Sequence, residues 1–137
     1  MEYKKLIEMA IQAMGKAYTP YSNFKVGAAL LTKSGKVYTG CNIENAAFTP
    51  TICAERTAVF KAVSDGETEF EAIAVVGGPN GDLKETGDYT GPCGVCRQVL
   101  MEFAPEITII SANSAEEYFV NTLEDLLPKG FGPKNLK

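Results

Sequence analysis

The sequence contains no histidine. That absence removes Ser-His-Asp and Cys-His catalysis, together with every histidine-based metal site. It also lacks any apolar run near the ~20 residues that span a bilayer. Its start, Met1-Glu2-Tyr3-Lys4-Lys5, leads into an amphipathic segment where a signal peptide would carry an apolar core. Positive charge is scarce: 13 Lys and Arg against 17 Asp and Glu give a net charge of −4. A nucleic-acid polymer or a membrane surface is therefore not an expected partner. Cysteine is sparse too, at four residues, Cys41, Cys53, Cys93 and Cys96. Without a secretory signal these read as reduced thiols of a cytoplasmic protein, not as a disulfide framework.

What is present fits a globular chain. Hydrophobic residues make up 45% and charged residues 22% of 137, enough to bury a core without staples. No shift in composition divides residues 1–137, so a single domain is expected. Leu6, Ala10, Ala13, Met14 and Ala17 recur at helical spacing, with Gly15 and Pro20 marking the end region. Val26 to Thr32 and Lys36 to Cys41 read as a hairpin, its first strand buried on both faces. A loop from Asn42 to Pro50 leads to a second helix from Cys53 to Val63. Ala72 to Val76 reads as a strand, followed by a glycine-rich loop from Gly77 to Gly91. Pro92 opens a third helix, Cys93 to Phe103. Strands at Ile107 to Ser111 and Tyr118 to Val120 follow, then a short helix, Leu123 to Leu127, capped by Thr122. This order predicts an α/β fold, a three-layer α-β-α sandwich around a mixed five-stranded sheet.

The chemistry lies in Cys53-Ala54-Glu55 and Pro92-Cys93-Gly94-Val95-Cys96. A lone Cys-x-x-Cys is shared by redox dithiols and structural zinc sites. Here three cysteines fall at the starts of two helices, where free N–H groups and the helix dipole stabilise thiolates. Three thiolates suit one tetrahedral Zn²⁺ per chain and leave a fourth position for water. Their combined charge exceeds that of the ion and weakens its Lewis acidity. Arg56, three residues after Cys53, is placed to hydrogen-bond a ligand sulfur and draw charge from it. Glu55 would exchange protons between water and a substrate nitrogen. A ligand, any residue, Glu, then Pro-Cys-x-x-Cys is the known signature of zinc nucleobase deaminases. Three other readings compete. Cys41 could close a four-sulfur structural site, making the chain a non-catalytic zinc-stabilised interaction domain. Cys93 and Cys96 could form a redox pair. An enzyme of this kind could also act on another aminopyrimidine, such as a nucleoside antibiotic.

Longer blocks carry a more specific resemblance. Tyr18-Thr19-Pro20-Tyr21-Ser22-Asn23-Phe24-Lys25-Val26-Gly27-Ala28-Ala29-Leu30, Gly40-Cys41-Asn42-Ile43-Glu44-Asn45-Ala46, Cys53-Ala54-Glu55-Arg56-Thr57-Ala58 and Pro92-Cys93-Gly94-Val95-Cys96-Arg97-Gln98-Val99 together resemble the homotetrameric zinc-dependent cytidine deaminases. The resemblance implies hydrolytic deamination of free cytidine and 2′-deoxycytidine in pyrimidine salvage. It implies Cys53, Cys93 and Cys96 as zinc ligands and Glu55 as the catalytic proton carrier. Asn42 and Glu44 would meet the ribose hydroxyl, Phe24 would pack on the pyrimidine, and Ala54 would offer main-chain contacts to the base. Phe131 would reach a neighbouring subunit's pocket in a homotetramer. Three departures stand out: Phe48 where many relatives carry Tyr, a Gly77–Gly91 loop longer than in short bacterial relatives, and Gly91 in place of a frequent Ser before Pro-Cys-Gly.

Overall fold

Period-two alternation along the two central strands decides which helix covers which face. The computed structural model describes residues 1–83 and 89–136. Its elements are α1 (Tyr3–Met14), β1 (Phe24–Thr32), β2 (Val37–Cys41), α2 (Ala54–Ser64), β3 (Phe70–Pro79), α3 (Gly94–Phe103), β4 (Thr108–Ala112), β5 (Tyr118–Thr122) and α4 (Leu123–Leu126), followed by a 3₁₀ turn, Pro133–Leu136. The strands form one mixed sheet in the order β2-β1-β3-β4-β5. β3 and β4 are parallel, and the other pairs are antiparallel.

On β1, Ala28 and Leu30 point to one face and Ala29 and Leu31 to the other; on β3, Ile73 and Val75 alternate with Ala72, Ala74 and Val76. The first face packs Ala58, Val59 and Ala62 of α2 and Leu100 of α3, with Leu123 of α4. The second packs Leu6, Ile7, Ala10 and Met14 of α1. This is the expected three-layer α-β-α arrangement around a five-stranded sheet. Successive side chains of a strand emerge on opposite faces, so a strand buried on both reads as a continuous apolar run.

Several element boundaries shift by one or two residues, β1 starting at Phe24 and β5 ending at Thr122, and two differ by more. β3 continues through Gly77 and Gly78 to Pro79, where a loop was expected, because Val26, Lys25 and Phe24 of β1 pair with these residues. Pairing with a neighbouring strand outweighs the poor strand preference of glycine. α1 ends at Met14, so Ala17 lies beyond it, still buried, and its carbonyl accepts from Lys25 Nζ at 3.1 Å. Of the expected 77–91 loop, residues 84–88 lie outside the described residues. Among the described residues, no helix is long and apolar enough to cross a membrane.

Gly40 on β2 sets the approach of α2. A Cβ there would lie 2.4 Å from Ala54 O and 2.6 Å from Ala58 N, both main-chain atoms of α2. Gly40→Ala must therefore push the helix start away from the sheet. We expect a loss of about 1–3 kcal/mol in denaturant unfolding, the usual cost of overpacking. Cys53, which immediately precedes Ala54, should be displaced with it. An unchanged unfolding midpoint would show that α2 can shift freely.

Candidate active site

Cys53 is the N-cap of α2 and Cys93 the N-cap of α3, each with extended backbone. Neither uses its side chain to cap its helix, so both sulfurs are left to face other groups. Cys96 lies one turn along α3 and is fully buried. The Sγ atoms of Cys53 and Cys93 are 3.5 Å apart, and those of Cys93 and Cys96 are 3.4 Å apart. All three lie within 4.8 Å of one another. Tetrahedral zinc with Zn–S bonds of about 2.3 Å separates its sulfurs by about 3.8 Å, so the donor set and spacing fit that ion. Cys41, half-buried at the end of β2, is not in the cluster. The closed four-sulfur reading therefore lacks its fourth sulfur.

The charges around the thiols are arranged for anions. Arg56 NH2 donates to Cys53 Sγ at 3.4 Å, as the three-residue spacing predicts for one helical turn. The hydrogen bond from Cys96 lowers the Cys53 thiol well below its ordinary range, and Arg56 acts in the same direction. Cys96 is pushed up, first by that bond and then by burial. Glu55 follows two residues after Cys53 and is only 3% exposed. Burial pushes its carboxyl up to about 7, with the neighbouring Cys53 charge adding to the shift. A cation seated among the sulfurs would oppose that shift. Ala54, fully buried, is the first residue of α2.

Phe24, Asn42 and Glu44 form a second group, joined through Ser22 and β1. Asn42 Oδ1 accepts from Val26 N at 2.9 Å, and Nδ2 donates to Phe24 O at 2.9 Å. One Nδ2 hydrogen is left beyond that bond. Glu44 Oε1 accepts from the backbone N–H groups of Tyr21 and Ser22 at 3.0 and 3.1 Å, and Oε2 accepts from the Ser22 hydroxyl. The Ser22 hydroxyl bond holds the Glu44 carboxyl below its ordinary value. Phe24 opens β1 and is half-buried, opposite Pro79. Thr57 of α2 links the chain just before Asn42 to the start of α2, its Oγ1 lying within hydrogen-bond distance of Cys41 O at 3.0 Å and Cys53 O at 3.2 Å. Phe131 lies beyond α4, is 57% exposed, and its carbonyl accepts from Gln98 Nε2 at 2.8 Å.

Three features were not anticipated from the sequence. Tyr18, Ile43 and Ile52 form a small ladder, with Tyr18 N donating to Asn42 O and Ile43 and Ile52 exchanging bonds at 3.0 Å. This ladder delivers the loop to Cys53. Ser22 anchors Glu44. Phe48 adopts a left-handed backbone, φ 64°, and its exposed ring meets Tyr21 edge-on at 6.4 Å. Asn45, whose Oδ1 accepts from Ala47 N at 2.9 Å, was the available signal for a tight turn there.

Comparison with known proteins agrees with this geometry. The family described as "Cytidine and deoxycytidylate deaminase zinc-binding region" matches residues 1–112. A cytidine deaminase from Sporosarcina psychrophila is 45% identical over 137 residues, covering 99% of this chain and 96% of its own. One from Halalkalibacterium halodurans is also 45% identical, over 99% of this chain and 98% of its own. The crystal structure of cytidine deaminase from Burkholderia pseudomallei superposes with a TM-score of 0.86 at 48% identity, covering 96% of this chain and all of that one. With its three convergent thiols, its buried Glu55 and these full-length likenesses, the chain belongs to the zinc-dependent cytidine deaminase family and is a hydrolase of that class.

Proposed function

We propose that the chain converts cytidine and 2′-deoxycytidine, with water, to the uridine forms and ammonia, as a cytoplasmic step of pyrimidine salvage. Cys53, Cys93 and Cys96 would hold the zinc. When bound, zinc supplies the Lewis acidity that lets water act as a nucleophile near neutral pH. Glu55 carries the protons: its carboxylate takes one from water, passes it to ring N3 and later assists departure of the C4 amino group as ammonia. Arg56 offsets the excess negative charge of three thiolates. Asn42 and Glu44, fixed by main-chain bonds to β1 and the Tyr21-Ser22 turn, present a donor and an acceptor for a ribose hydroxyl. Phe24 offers a flat face for the base, and Ala54 its main chain.

The observation that carries this reading is the meeting of a 3%-exposed Glu55 with three sulfurs at two helix N-termini. Assembly into a homotetramer is supported by the open Phe131 side chain, which is free to enter another subunit's pocket. The deciding experiment follows ultraviolet absorbance of each nucleoside with purified protein, with and without a zinc chelator. Loss of the cytidine signal with ammonia release, abolished by the chelator, is expected for both substrates. No change with zinc bound would turn the reading to another aminopyrimidine. Sedimentation of the same preparation measures the assembly, a stable active monomer refuting the tetramer.

A further inference from the structure

The geometry points to Arg97 as the positioning residue that aims Cys93 at the metal, an inference that rests on the ligand set proposed above. Cys93 is the exposed member of the cluster, so little packing determines where its sulfur points. Cys96 is fixed by complete burial, and Cys53 receives a hydrogen bond from Arg56 at 3.4 Å. Besides its contacts with the Cys53 and Cys96 sulfurs at 3.5 and 3.4 Å, the placement of Cys93 Sγ depends on where its backbone, at φ −69° and ψ 169°, puts the Cβ.

Arg97 holds the peptide carbonyls on both sides of that residue. Its backbone N–H donates to Cys93 O at 2.9 Å as the first main-chain bond of α3, and its side-chain Nε alone adds the bond to Pro92 O, at 2.8 Å. Its NH1 donates to Leu126 O at 2.6 Å, a carbonyl at the end of α4. A helix end leaves such carbonyls without internal partners. The rigid, planar guanidinium thus ties a ligand-bearing loop to an element 29 residues further along. Lysine, with a single flexible ammonium, cannot hold Pro92 O and Leu126 O in the same fixed geometry. The Arg97 side chain acts through the Pro92–Cys93 peptide plane, which it ties to Leu126 O.

The test measures zinc release from loaded protein into excess chelating dye, alongside the thiolate-to-cobalt absorption band of the cobalt-substituted form. Arg97→Met is expected to release zinc about 10–100-fold faster, the usual effect of removing a group that supports a ligand. Arg97→Lys should fall between Arg97→Met and the parent, with a shifted cobalt band. Thr122→Ala serves as the structural control: it removes the capping box of α4 without touching Arg97. It should lower the melting temperature and leave zinc release unchanged. Parent-like release from both Arg97 variants would overturn the inference. So would release from Thr122→Ala as fast as from Arg97→Met, because Arg97 would then act only by holding α4. Cys93→Ala separates the two levels. If it loses zinc while the Arg97 variants keep it, the role of Arg97 alone fails; if it keeps zinc, the ligand set itself fails.

Discussion

Replacing Glu55 by Gln is expected to lower turnover of cytidine by about 10²–10⁴-fold, the usual share of a positioned acid-base group, while zinc content stays at the parent level. Glutamine has the shape to fill a position only 3% exposed, but it cannot take up and release the proton. The helix N-terminus, the three sulfurs and Arg56 are all untouched by the change. Stability should not drop, because an amide avoids the cost of burying a charge. The measurements are the rate of absorbance loss with cytidine, zinc content by atomic absorption, and the thermal midpoint. Near-parent turnover would remove Glu55 from its role. Loss of zinc would show instead that the carboxyl supports the metal.

Cys96→Ala should abolish both zinc binding and activity, yet leave the chain folded. Cys96 is the fully buried sulfur of the three, so no outside donor can easily take its place. Small zinc-binding peptides unfold without their metal because the metal supplies their folding energy. Here α2 and α3 are held by Val59, Ala62 and Leu100 against Leu30, Ile73 and Val75 of the sheet. Removing one sulfur from that face costs about 1 kcal/mol of packing. Far-ultraviolet circular dichroism should therefore match the parent. Adding chelator should lower the melting temperature of the parent and not that of the variant, since a ligand stabilises only the state that binds it. Parent-level zinc in the variant would exclude Cys96 as a ligand. Collapse of the helical signal would mean that the metal, not the core, holds α3.

Short-range patterns made much of this legible. Leu6, Ala10, Ala13 and Met14 mark α1 by helical spacing, and Thr122 does cap α4, through a reciprocal bond with Asp125. Arg56 meets Cys53 because three residues make nearly one helical turn. The fault at Gly77 to Pro79 has the opposite origin. Glycine and proline signal a loop locally, but β1 supplies a hydrogen-bonding partner that no local window contains. Arg97 was visible as the residue after Cys96, yet its partner at Leu126 is 29 residues away.

By itself, then, the sequence determined the residue types, their spacing within each helix and the two faces of each strand, because these follow from backbone periods of 3.6 and 2 residues. It also determined the reaction class, through Cys-x-Glu and Pro-Cys-x-x-Cys. Only the tertiary structure decided that Cys53 and Cys93, 40 residues apart, lie 3.5 Å from each other while Cys41 stays outside. It alone decided that Glu55 is buried, and that Asn42 and Glu44 are braced by main-chain N–H and C=O groups. These facts depend on how closely α2 and α3 settle on the sheet. That distance is set by packing, by a glycine at position 40 with no Cβ to hold α2 away, and by no feature of the local spacing.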